Sequence, residues 1–330
     1  MSTTVTTTID ALAPELTTSL SKTFLDILAQ SLNEDISKDL DSHVLTQGKV
    51  ANRAAPKKVI PVISADAMTG DAKYTRPNGE VYHARKWGEH DDVLVLRKAR
   101  EEMQFILLYG APGCGKTALV EAAFDDVISV LGTGDTELSD LIGGYVQTPE
   151  GFRWEDGPLV KAAEQGRPFF IDEIGLVDPK VLAGVYGLMD GRRELVVTAN
   201  PERGVVKAKD GFYVIAATNP NAPGVRLSEA LLSRFIVQAE MTTDYTLAKR
   251  LGAPQQIVTV AQNLNRRQAS GECGWAPQMR EMLAFRDIAK NFGTKFAIAN
   301  IIAAAPEIDR PVVADVFTRV FGEECRPAKI

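Results

Sequence analysis

One stretch limits the folds open to this chain more than any other. Residues 105–110 read FILLYG, residues 110–117 read GAPGCGKT, and residues 117–124 read TALVEAAF. The first is a short apolar run of the kind that a parallel sheet buries on both faces. The last is a run of good helix formers without proline or glycine. Between them Gly110, Gly115, Lys116 and Thr117 match the pattern G-x-x-x-x-G-K-[ST]. Glycines at those points let backbone N–H groups turn inward around phosphate oxygens, where a side chain would stand in the way. Lys116 then reaches the β- and γ-phosphates, and the Thr117 hydroxyl faces a magnesium ion. The start of the following helix adds its partial positive charge. The loop residues Gly110, Pro112, Gly113, Cys114, Gly115, Lys116, Thr117 and Ala118 form the candidate nucleotide site. The competing reading is a glycine-rich turn between two packed elements, and the order strand, glycine loop, helix decides for the nucleotide.

The rest of the sequence fits an α/β protein with a helical appendage. The chain has 330 residues, room for two domains and a tail. Residues 1–75 read as a helical and linker extension, 76–242 as an α/β core, and 243–330 as a small all-helical domain. In the core, strands at 105–109, 127–131, 168–172 and 212–217 alternate with helical stretches, which implies a parallel sheet covered on both faces. In the extension, apolar residues recur at helical spacing over 16–32, a helix that either packs on its own core or docks on another subunit. Residues 48–64 read as a linker.

Composition excludes several classes. The formal net charge of −6 argues against a broadly basic nucleic-acid surface, although a local basic patch stays open. Cys114, Cys273 and Cys325 are too far apart for a metal cluster or disulfide framework, and a thiol inside the phosphate loop suits a reducing compartment. His43, His83 and His90 show no ligand spacing. The polar start is no signal peptide, and no apolar run has the length to span a bilayer. The expectation is a cytoplasmic protein without membrane insertion.

Three further stretches carry chemistry. In GRPFFIDEIG, residues 166–175, an apolar strand ends on two carboxylates. Asp172 falls at the carboxyl end of the strand, near a magnesium ion, and Glu173 is placed to act as general base toward the attacking water. Ligands of open parallel sheets sit at that end of the strands. In FYVIAATNP, residues 212–220, another buried strand ends at Asn219, whose amide is suited to positioning a water. In RLSEALLSRF, residues 226–235, Ser228 is placed to cap a short helix that Arg234 follows. A guanidinium suits the charge on a transferring phosphoryl group.

Taken in order, these parts resemble the AAA+ ATPases, and within them the MoxR and dynein-related branch that includes NorQ/CbbQ-type activators and midasin modules. The resemblance covers roughly residues 80–325. It implies that GAPGCGKT is the Walker A loop, that FFIDE is Walker B, that Asn219 is sensor 1, and that Arg234 is an arginine finger acting on a neighbouring subunit. Arg280, in APQMREML, is implied as sensor 2, although the family usually has Ser or Thr shortly before this arginine and here the run is Pro-Gln-Met. Arg226 is a second candidate for an inter-subunit arginine. Residues 139–163 resemble the helix-2 insert and 192–220 the hairpin before sensor 1, so Phe152, Trp154, Arg203, Lys207 and Lys209 would face a pore or substrate, or simply pack and solvate. Tyr82, Trp87, Asp92 and Val93 would line the adenine or belong to the core. The resemblance implies ATP and Mg²⁺ as ligands. It also implies a homo-oligomeric, hexameric ring that remodels a protein partner, one class of which carries a von Willebrand factor A domain. A nucleic-acid machine, using Arg203, Lys207 and Lys209 on phosphates, is the less favoured alternative. A nucleotide-gated scaffold is the third, and Glu173 speaks against it.

Overall fold

A computed structural model describes residues 72–328. The helix expected at 16–32 and the linker at 48–64 lie outside the described residues. The centre is a five-stranded sheet of β1 (Ile106–Tyr109), β2 (Ile128–Leu131), β3 (Pro168–Asp172), β4 (Tyr213–Thr218) and β5 (Val237–Glu240). The strands lie in the order β5-β1-β4-β3-β2, and every pairing is parallel. Ile215 on β4 pairs with Ile106 on β1 and with Phe170 on β3, which fixes the register of the three middle strands.

Burial follows position in the sheet. The middle strands β1, β3 and β4 are buried along nearly their whole length, as their unbroken apolar runs require. The edge strands β2 and β5 alternate between half-buried and exposed residues. That alternation is why β5 was absent from the sequence expectation: its VQAE has no continuous apolar run to signal a strand.

Helices flank the sheet. They are α1 (Asp92–Glu101), α2 (Lys116–Ala123), α3 (Leu138–Ile142), α4 (Pro158–Gln165), α5 (Pro179–Ala183) and α6 (Glu229–Leu232). α1 buries Val93, Leu96 and Ala99 and packs against α2, while α4 packs on β2 and β3. Pro158 opens α4 at a position where a missing N–H is harmless. The core centres on Phe169, Phe170, Phe212, Tyr213 and Phe235, all fully buried.

Two hairpins leave the core where they were expected. Gly143–Thr148 pairs with Gly151–Asp156 just ahead of α4, and Glu194–Val196 pairs with Val205–Lys207 ahead of β4. Two smaller hairpins, Lys73–Thr75 with Val81–His83 and Lys86–Trp87 with His90–Asp91, precede α1 and had no clear signal in the sequence.

After β5 the described chain is helical: α7 (Tyr245–Arg250), α8 (Gln255–Ala269), α9 (Met279–Phe292), α10 (Thr294–Ala304) and α11 (Arg310–Phe321). They enclose a second apolar cluster that includes Leu264, Met282, Phe285, Ile301 and Phe317. α10 is the apolar run FAIANIIAAA, read from sequence only as too short to span a bilayer. It is a helix with Ala297, Ile298, Ile301 and Ile302 on its buried face. No described helix is long and apolar enough to cross a membrane.

Phe170 sits fully buried at the middle of the sheet, between β2 and β4. Phe170→Ala is expected to destabilise the fold by about 3–5 kcal/mol, read from the midpoint of denaturant unfolding. A loss below about 1 kcal/mol would contradict this packing.

Candidate active site

Because all five strands run in parallel, the residues that follow β1, β3 and β4 emerge along one edge of the sheet. Thr218 pairs with Tyr109 at the ends of β4 and β1, and the Gly110 N–H donates to the Thr218 carbonyl at 3.2 Å. The register therefore sets the start of the glycine loop beside Asn219. Gly110 and Gly115 adopt φ of 154° and 99°, where a side chain is strained. A Cβ on Gly110 would stand 2.3 Å from the Met241 carbonyl oxygen, and one on Gly115 would stand 2.9 Å from a guanidinium nitrogen of Arg85.

Lys116, the first residue of α2, is only 6% exposed. Its Nζ donates to the carbonyls of Gly110 at 2.8 Å and Ala111 at 3.2 Å. These partners are dipoles of its own loop, with no carboxylate among them. A buried ammonium held in this way is stabilised when an anion enters the loop. The residues thus fit a phosphate chain.

The carboxylates lie across from the loop. Thr117 Oγ1 donates to Asp172 Oδ2 at 2.7 Å, and Asp172 Oδ1 accepts the Glu173 N–H at 3.1 Å. A hydroxyl and a carboxylate side by side form the hard oxygen pair that suits Mg²⁺, which keeps most of its other ligands as water and phosphate. Glu173 has φ of 53°, uncommon for a residue with a side chain. Glu173 Oε2 accepts the Asn219 N–H at 3.2 Å. Asn219 Oδ1 accepts the Asn221 N–H, so the contact with Glu173 is made by backbone.

The arginines are placed differently. Arg234 follows α6, which Ser228 caps by accepting the Leu231 N–H at 3.2 Å. Its guanidinium stacks on the Tyr186 ring with 4.0 Å to the centroid, and Nη1 donates to the Ala230 carbonyl at 2.5 Å. Nε is buried with no partner. The Tyr186 hydroxyl lies 3.3 Å from Ser228 Oγ. None of these partners of Arg234 belongs to the loop or the carboxylate pair. Arg226 is exposed, and its backbone N–H donates to the Gly175 carbonyl at 2.7 Å. Arg280 lies on the first turn of α9, and its Cβ is 3.1 Å from where a Gly113 Cβ would be. The C-terminal helices thus reach the glycine loop. The structure brings together Lys116, Thr117, Asp172, Glu173 and Asn219, sets Arg280 beside the loop, gives Arg234 partners outside it, and ties the Arg226 backbone to Gly175, two residues past Glu173.

Next to the loop lies a cavity of about 640 Å³, lined by Trp87, Arg85, Asp92 and Met241 from the core and by Leu247 and Arg250 from α7. That volume is in the range of small-molecule sites. Of the four residues expected to line a base, Trp87 and Asp92 face the cavity, whereas Tyr82 and Val93 belong to the buried core. The Tyr82 hydroxyl donates to Asp92 Oδ2 at 2.5 Å. Burial raises the Asp92 carboxyl above the usual range, against the lowering effect of this bond and of neighbouring donors. Reading the sequence gave no role to Arg85, to Tyr186, or to Thr218, whose fully buried hydroxyl has no partner. None of the three belongs to a motif with fixed spacing.

Residues 105–235 match the family described as AAA domain, dynein-related subfamily. This stretch carries an AAA domain. The match supports ATPase activity for it. Midasin of Giardia intestinalis is 28% identical over 295 residues, 82% of this chain and 6% of that protein. An uncharacterized protein of Staphylococcus epidermidis strain RP62A is 37% identical over 163 residues, 45% of this chain and 61% of that protein. A solved structure from Cytophaga hutchinsonii superposes with a TM-score of 0.37 at 15% identity, covering 71% of this chain and 89% of that one. The chain thus spans less than two thirds of the length of these two curated relatives.

The two hairpins of the AAA domain differ from expectation in one respect. Arg203 does not present a free charge. Its Nε donates to Asp156 Oδ1 at 3.0 Å and its Nη2 to Asp156 Oδ2 at 3.0 Å, and Nη2 also pairs with Glu164 Oε1 of α4 at 2.5 Å. Two acidic neighbours in reach made this pairing better than solvation, and both are distant in sequence. Trp154 donates to Asp156 Oδ1 at 2.8 Å and meets Tyr145 edge-on at 5.3 Å. Phe152 is 75% exposed, and Lys207 and Lys209 are exposed.

The hydrogen bonds from Arg203 hold the Asp156 carboxyl below its usual range. A depressed folded pKa contributes stability that is present above the unfolded pKa and is lost as pH falls through the folded one. Chymotryptic cleavage at Phe152 is therefore expected to be slow at neutral pH and to quicken at neutral pH in Arg203→Ala. An unchanged rate in that variant would show that the pairing does not hold the hairpin. Pre-incubation below about pH 4 followed by hydrogen exchange should reveal the same loosening in the native chain.

Proposed function

We propose that this chain is a Mg²⁺-dependent ATP hydrolase of the MoxR branch, akin to NorQ/CbbQ-type activators, that works in the cytoplasm as a hexameric ring and remodels or activates a protein partner. The observation that carries the reading is the buried Lys116 ammonium, held by loop carbonyls beside the Thr117–Asp172 pair. A nucleoside triphosphate would give that ammonium the anionic partner that the loop carbonyls do not supply.

In this reading each residue has a distinct task. The backbone from Gly110 to Ala118, including Pro112, Gly113 and Cys114, wraps the phosphates, and Lys116 binds their β and γ oxygens. Thr117 and Asp172 would hold the magnesium ion, which neutralises phosphate charge when bound. Glu173 orients the attacking water and accepts its proton, and the backbone contact from Asn219 fixes the carboxylate. Arg280 reaches the phosphates from α9. Arg234 serves the nucleotide of a neighbouring subunit. Its stacking on Tyr186, away from its own loop, supports supply across an interface.

Exposed Phe152 and Tyr145 on the first hairpin support contact with a protein rather than with a phosphate backbone. A partner bearing a von Willebrand factor A domain fits this class of machine. The nucleic-acid alternative retains Lys207 and Lys209 but loses Arg203 to Asp156 and Glu164.

Glu173→Gln is expected to bind ATP as the native chain does and to lose about 10²–10⁴-fold in turnover. Arg234→Ala should keep binding and lose about 10³-fold. Mixing the two variants should restore part of the activity, since one subunit supplies the base and another the arginine. Phosphate release followed in the mixture decides the matter: no recovery over either variant alone means the arginine does not act in trans. Full activity in Glu173→Gln would remove the base assignment altogether.

A further inference from the structure

Arg85 belongs to no motif, yet its side chain occupies a particular place. It lines the 640 Å³ cavity, and its Nη2 stands 2.9 Å from the Cβ position of Gly115 in the phosphate loop. One guanidinium thus spans the gap between the cavity and the loop. A nucleotide that puts its base in the cavity and its β- and γ-phosphates in the loop must place its sugar and α-phosphate in that gap. We infer that Arg85 is a nucleotide-contacting residue that binds the α-phosphate where the chain passes from cavity to loop. The inference rests on the nucleotide reading above and adds to it a second cation, from outside the loop.

The guanidinium is held for this task from several sides. Nε donates to the Tyr82 hydroxyl at 3.3 Å and lies 3.7 Å from Asp92 Oδ2. Nη1 donates to the Thr242 carbonyl at 3.2 Å, in the connection between β5 and α7. The backbone N–H of Arg85 donates to Asp92 Oδ1 at 3.1 Å. The side chain is therefore oriented before a ligand arrives, and little conformational freedom is lost on binding. Arginine has five N–H donors in a rigid fork, so one that already serves a hydroxyl and a carbonyl still has donors for a phosphate oxygen. Lysine carries its three donors on one nitrogen and lacks the spread of the fork, whose Nε and Nη1 reach separate acceptors here.

The experiment is a titration of the full chain with ADP, paired with ³¹P NMR of the bound ADP at saturation. Arg85→Gln is expected to weaken ADP about tenfold, the scale of one charge-assisted hydrogen bond. It should also move the α-phosphorus resonance while leaving the β-resonance in place. Arg85→Lys keeps a cation beside Asp92, so it remains a test if Arg85→Gln melts early. It should weaken ADP about threefold and move the same resonance. Unchanged or tighter ADP binding in Arg85→Gln would overturn the inference, the second result marking the arginine as a plug. Weaker binding with both resonances in place would also overturn it. Lys116→Ala separates this from the parent reading. If Lys116→Ala binds ADP as the native chain does, the nucleotide site itself is wrong. If it loses ADP while Arg85→Gln does not, only the role of Arg85 falls.

Discussion

The pairing of β4 with β1 on one side and β3 on the other is the constraint on which the remainder of this molecule depends. Parallel neighbours cannot be joined by tight turns, so each of β1 to β4 is followed by a segment that crosses back over the sheet. The chemistry-bearing residues are the last of a strand or the first after it, before those crossings begin. Gly110, Asp172 and Asn219 come from segments far apart in sequence and meet because three buried strands end level. A slip of register by one residue would turn the fully buried faces of β3 and β4 and separate the loop from the carboxylates.

Charge is concentrated at that same edge. The chain carries a net charge of −6, yet Lys116 and Arg85 are both withdrawn from solvent near the glycine loop, and α2 points its N-terminus there. Their partners differ in kind. Lys116 is held by carbonyl dipoles, whereas Arg85 is balanced by the buried Asp92–Tyr82 pair. The first arrangement leaves positive charge available to a ligand, and the second fixes where a side chain stands. The positive φ of Glu173 adds a local backbone cost at the end of β3, accepted where the carboxylate must meet Asn219.

How far the sequence could be read follows from the range of the interactions involved. The glycine loop, the Asp-Glu pair and the buried middle strands were legible because each is a local pattern with a local cause. β5 was not, because an edge strand with alternating exposure has no apolar run. α10 hid in a run whose apolar residues lack polar partners at helical spacing. The two hairpins were implied by the resemblance of residues 139–163 and 192–220, but the fate of Arg203 was not, since Asp156 and Glu164 approach it only in the fold. Tyr186 under Arg234, and Arg85 over Gly115, are contacts between separate segments, and nothing in their neighbouring residues announces them.

The pairing of Arg203 also has a mechanical meaning. One guanidinium fastens the base of the first hairpin to the turn of the second, and both to α4. α4 lies against β3, the strand that ends in Asp172 and Glu173. A force on the exposed tip at Phe152 has a short route through ionic links and a packed helix to the strand that bears the carboxylates. The two hairpins are therefore not independent fingers. They form a braced frame, in which Arg203 is joined by the Lys161–Glu155 pair and by the Lys209 N–H donating to the Ala163 carbonyl of α4.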